Sequence, residues 1–82
     1  PEEWAARLAT PIRPAGGRTR FLRGRLTVHG GAWTVSVIRR QASHMLGAFV
    51  GSDCLIVVPA RVRRSLDVRS EVRVHPFPWR KS

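Results

Sequence analysis

Leu26-Thr27-Val28-His29-Gly30-Gly31-Ala32-Trp33-Thr34-Val35-Ser36-Val37 is the stretch whose reading decides the fold. Apolar side chains recur at every second position on both sides of Gly30-Gly31: Leu26 and Val28 before it, Trp33, Val35 and Val37 after it. A period of two marks a strand with one face turned inward. Two glycines between such runs supply the positive φ values of a tight hairpin turn. The sequence predicts a first strand within 18–29 and a second from about 32 to 39, with Trp33, Val35 and Val37 on one face. Gly24 interrupts the first strand, which suggests a bulge or a close approach of backbone.

Upstream, residues 1–17 read as an entry strand and a Pro/Gly loop. The start of this segment, 1–8, fits a short helix with acidic residues in its first turn equally well, and Pro11, Pro14, Gly16 and Gly17 mark the loop. Downstream, residues 40–53 break the strand pattern. Met45, Leu46, Phe49 and Val50 share one face of a short helical turn, which Gly51 ends. Cys54-Leu55-Ile56-Val57-Val58-Pro59 is the most apolar run and predicts the most buried strand. Residues 61–67 form a basic connection. Glu71-Val72-Arg73-Val74-His75-Pro76 alternates again as a last strand, closed by Pro76 and Pro78, with 78–82 a flexible tail. The expected fold is a single, mainly β domain spanning 1–82. It is a small β-barrel or β-clip of about five to six strands with one short helical turn. Closure, or docking on another domain, would remove the exposed strand edges.

Bulk composition narrows the function classes. A chain of 82 residues is one domain, and an apolar fraction of 43% argues against a disordered tail. Fifteen basic residues, all arginine except Lys81, stand against five acidic ones, giving a net charge of +10. Such a field attracts polyanions: nucleic acid, acidic membrane or phosphate-bearing small molecules. The plainer reading of most individual arginines is a solvated outer strand face. The single cysteine, Cys54, lies in an apolar run and reads as core; with one cysteine there is no intramolecular disulfide and no cysteine-based metal site. No stretch approaches the ~20 apolar residues of a membrane span, and no secretory signal opens the sequence; a cytoplasmic location fits. A start at Pro1 with Met45 as the only methionine is compatible with a cut fragment.

Four motifs in order carry a resemblance: Gly17-Arg18-Thr19-Arg20-Phe21-Leu22-Arg23-Gly24, then Gln41-Ala42-Ser43-His44-Met45-Leu46, then Asp53-Cys54-Leu55-Ile56-Val57-Val58-Pro59, then Glu71-Val72-Arg73-Val74-His75-Pro76-Phe77. In this order and spacing, from about residue 6 to 77, the chain resembles the C-terminal domain of the molybdopterin molybdenumtransferases, the family of MoeA and gephyrin. Two positions depart from the family pattern: Ala42 and Ser70 stand where glycine is common. Both bear on loop geometry rather than on a functional side chain.

The resemblance implies a multi-domain dimeric enzyme that removes the adenylate from adenylylated molybdopterin and inserts molybdenum from molybdate, with Mg²⁺. The catalytic acidic and lysine residues of such an enzyme lie in another domain, so no catalytic residue is expected in this chain and no cofactor is expected to bind it alone. The remaining domains and the dimer mate would be its partners, and molybdopterin-adenylate and molybdate its ligands. The C-terminal domain would line the cleft through the arginine of Phe-x-Arg-Gly and the serine of Ser-His, here Arg23 and Ser43. The chemistry agrees: a guanidinium binds compact oxyanions bidentately, and a hydroxyl entering a helical turn adds a neutral donor. The bland alternatives are a solvated strand arginine for Arg23 and a helix N-cap for Ser43. His44 is a third candidate for the anion site; its competing reading is a structural hydrogen bond. His29 and His75 read as surface strand residues. Trp4, Trp33 and Trp79 read as packing or interdomain contacts. Two other functions remain open: a basic β-barrel binding nucleic acid, which would need aromatic faces along a basic groove, and a stand-alone interaction module.

Overall fold

The computed structural model describes residues 3–14, 16–38 and 52–77. Gly30 and Gly31 take φ values of 59° and 83°, which close the hairpin between β2 (Arg20–His29) and β3 (Ala32–Val37). The two strands pair antiparallel from His29↔Ala32 to Gly24↔Val37. The entry segment is a strand, β1 (Trp4–Leu8), and β4 (Cys54–Val58) and β5 (Glu71–Pro76) complete the set.

The five strands form a closed barrel in the order β1-β3-β2-β4-β5. All neighbours are antiparallel except β1 and β3, which meet in parallel at Arg7↔Thr34 and Leu8↔Val35. Closure leaves no long edge to template association. Two side chains extend the ladders where a strand ends. Thr10 Oγ1 accepts from the Val37 N–H at 3.3 Å, and Asp53 Oδ2 accepts from the Leu26 N–H at 2.8 Å. Each gives a part-buried backbone donor the acceptor that a neighbouring strand no longer supplies.

The core follows from the alternation. Val35, Cys54, Ile56, Val58 and Val74 have no exposed surface, and Ala6, Leu8, Leu26 and Val72 are buried around them. Ile12 joins this core through a reciprocal backbone bridge with Leu66, at 2.9 and 2.8 Å. Burying such a side chain fully contributes about 1.5–3 kcal/mol. In β4 the alternation shows inside the apolar run: residues 54, 56 and 58 are buried, while Leu55 and Val57 are half-buried on the outer face.

Gly24 is not at a bulge. The register runs unbroken through it on both sides, to Val37 and to Cys54. It lies on the inward row of β2, and a Cβ there would stand 2.7 Å from Val35 Cγ2 and 2.9 Å from Ile56 Cδ1. The close approach is made by core side chains. Arg69 is the one described non-glycine residue with positive φ, at 75°. Its N–H donates to Leu8 O at 2.7 Å, and its carbonyl accepts from Arg7 Nη1 at 3.1 Å, so β1 holds the strained turn in place. The helical turn expected at Met45–Val50 and the tail 78–82 lie outside the described residues. Among the described residues no helix is long and apolar enough to cross a membrane.

Candidate functional site

Arg23 stands on the outer face of β2, between the inward positions Leu22 and Gly24. Its cross-strand neighbour is Leu55 of β4, and Leu55 in turn faces His75 of β5. Arg23 is half-buried and its Nε is shielded from solvent. It is thus more enclosed than the exposed Arg25 two positions on, and less like a freely solvated strand arginine.

The connection from β3 to β4 starts and ends at this arginine. Ile38 N–H donates to the Arg23 carbonyl at 2.9 Å as the chain leaves β3, and Asp53 N–H donates to the Gly24 carbonyl at 2.8 Å as it returns. Ser43 and His44 fall on that connection, outside the described residues. What the fold fixes is that the segment carrying both is tethered at its two ends to the Arg23-Gly24 dipeptide.

The other sequence candidates occupy ordinary places. His29 is exposed at the end of β2. His75 Nε2 and Glu3 Oε2 lie 3.1 Å apart on the outer surface, an ion pair when the imidazole is protonated. Cys54 is a free, fully buried core residue. The rings of Trp4 and Trp33 pack together with centroids 5.2 Å apart and lie against the core. A stacking platform needs open ring faces, and these two tryptophans are half-buried and turned to each other. Trp79 lies outside the described residues. Phe21, by contrast, is 60% exposed on the outer face. Among the described residues no group of three or more His, Cys, Asp or Glu side chains could hold a metal ion.

Two roles were not anticipated. Asp53 appears in the sequence as the opening of the apolar strand; its carboxylate caps the edge of β2. Arg20 is a half-buried arginine on the inward row of β2, and its Nη1 donates to the Arg13 carbonyl at 3.3 Å. Counting the strand phase back from Leu26 and Leu22 would have found it.

Comparison with known proteins gives two findings. The family model described as the MoeA C-terminal region (domain IV) matches residues 5–78. Among solved structures, the molybdopterin biosynthesis MoeA protein from Pyrococcus horikoshii OT3 superposes with a TM-score of 0.71 at 20% identity, covering 93% of this chain. That likeness is one of fold, and the chain spans only 18% of the length of that neighbour. No curated protein matches.

Proposed function

Because the chain belongs to the family of the MoeA C-terminal region (domain IV), we propose that it works as the C-terminal domain of a molybdenum-inserting enzyme, lining a cleft whose reactive groups other domains supply. The family match over residues 5–78 carries this reading. In it, Arg23 offers a guanidinium fork to molybdate or to a phosphate of adenylylated molybdopterin, and Ser43 adds a hydroxyl, with His44 beside it. Two observations support Arg23 in this role: its half-burial, which leaves less water competing for an anion, and the tethering of the Ser43 segment to its own backbone. The described residues do not offer the clustered carboxylates that Mg²⁺ favours. In this reading the remaining domains or the dimer mate would hold the ion and supply the chemistry it assists.

Arg23→Ala in the intact enzyme tests the reading. Insertion at limiting molybdate should fall about 10- to 100-fold, the range of one charge-assisted hydrogen-bonding group, with unfolding of the domain unchanged within about 1 kcal/mol. Unaltered insertion kinetics in a folded Arg23→Ala enzyme would remove Arg23 from the site.

A further inference from the structure

Arg20 breaks the alternation that governs the rest of β2. Leu22, Gly24 and Leu26 occupy the inward row, and Arg20 stands on it too, while Phe21 on the outer row is 60% exposed. The strand thus opens with a cation inward and an aromatic ring outward, against the usual partition. An inward charge is tolerated where it meets water, hydrogen-bond acceptors or a counter-charge.

Here Arg20 meets an open notch of about 400 Å³. The notch forms where β2 and β3 part: their registered pairing stops at Gly24↔Val37, whereas β2 continues along β4 to Arg20↔Val58. Leu22, Val37 and Ile38 line one side, and Ile12 and Arg13 the loop side. The bond from Arg20 Nη1 to the Arg13 carbonyl ties the guanidinium to that loop. Arg13 is a second arginine lining the notch, and no Asp or Glu is among the described residues that line it. The larger groove beside β5, about 580 Å³, differs in this respect: there Arg61 and Arg73 are balanced by Glu3 and Glu71.

We propose that this notch is a binding site for a phosphate monoester with a compact apolar body. The dianionic phosphate accepts from the forks of Arg20 and Arg13, and the apolar body covers Leu22, Val37 and Ile38. A cleft of this size, whose lining sets two arginines beside the apolar side chains of Leu22, Val37 and Ile38, suits a small amphipathic ligand. Arg20 lies on the inner row of β2 and Arg23 on the outer, so this site stands or falls separately from the cleft role of Arg23.

The test is titration of the isotope-labelled 82-residue chain with phenyl phosphate, inorganic phosphate and phenol, followed by amide chemical shifts. Phenyl phosphate should shift Ile12, Arg13, Leu22 and Ile38 saturably, with inorganic phosphate about tenfold weaker and phenol without saturable effect. Arg20→Gln and, separately, Arg13→Gln should each weaken phenyl phosphate about 10- to 100-fold. Arg61→Gln should leave it unchanged. Arg13 is an exposed loop residue, so its variant keeps the test informative if Arg20→Gln loses its dispersed spectrum. No saturable shift overturns the proposal. So do equal losses in the Arg13 and Arg61 variants, which would mean diffuse attraction to a basic chain, and equal affinity for inorganic phosphate, which would mean that the apolar wall is unused.

Discussion

Replacing Gly24 by alanine places a methyl group 2.7 Å from Val35 Cγ2, 2.9 Å from Ile56 Cδ1 and 3.0 Å from Ile56 Cγ1. Both neighbours are fully buried. Val35 is stiff at χ1, and the chain closing the barrel behind it resists displacement. Overpacking of this kind costs about 1–3 kcal/mol. Alanine returns about 0.4–1 kcal/mol by narrowing the unfolded ensemble, leaving a net loss of about 1–2 kcal/mol. At roughly 4–8 °C per kcal/mol for a domain of this size, Tm should fall by about 5–15 °C. Urea unfolding followed by tryptophan fluorescence reads the same loss as a lower midpoint at unchanged slope. Ile56→Val deletes the Cδ1 methyl and alone costs about 0.5–1.5 kcal/mol. In the Gly24→Ala background that cost should vanish or reverse, a coupling of about 1 kcal/mol. If Gly24→Ala is as stable as the parent, or Ile56→Val costs the same in both backgrounds, the packing account of Gly24 is wrong.

Three further outcomes follow from particular contacts. Asp53→Ala removes the acceptor of the Leu26 N–H; stability should drop by about 1–3 kcal/mol with faster hydrogen exchange at Leu26, and unchanged exchange would show that another group accepts. Arg69→Val forces a β-branched side chain to φ 75° and should cost about 1–2 kcal/mol by thermal unfolding; an equally stable variant would mean that the turn relaxes freely. Trp33→Ala breaks the tilted ring contact with Trp4; a loss of about 2–3 kcal/mol is expected, below the fully buried case because the ring is half-exposed. The near-UV dichroism of the pair should disappear alike in Trp4→Ala and Trp33→Ala, and persistence in either would deny the contact.

Period-two patterning was enough for a small, mainly β domain, with barrel and clip both open, and the pairing of β1 with β5 decides for the barrel. The Gly30-Gly31 hairpin, the last strand at 71–76 and the burial of Cys54 were legible because each is local: turn chemistry and alternation sit within a dozen residues. The entry segment stayed ambiguous between helix and strand because its conformation is decided by remote partners. β1 exists as a strand by lying between β3 and β5, and no local preference in Trp4–Leu8 reports that. Gly24 left a bulge and a close approach both open because a glycine in a strand looks like an interruption until the opposing Val35 and Ile56 are in place. Family motifs pointed to Arg23, whereas the inward Arg20 was hidden among many arginines and emerges from strand phase alone. The reach of Asp53 to Leu26, 27 positions back along the chain, leaves no trace in sequence spacing.

The seam that closes the barrel joins the first strand to the last. β1 and β5 run antiparallel from Trp4↔Val74 to Arg7↔Glu71, with the Glu3–His75 contact at the outer end. A force drawing residues 3 and 77 apart would therefore meet that contact first and then the registered pairs one after another, so the seam peels instead of shearing. Once β5 has peeled away, β1 is left with its two parallel pairs to β3. Mechanically, then, this barrel is weakest along the line on which its own chain enters and leaves. A load carried through both ends would open it there while the β3-β2-β4 ladders remained intact.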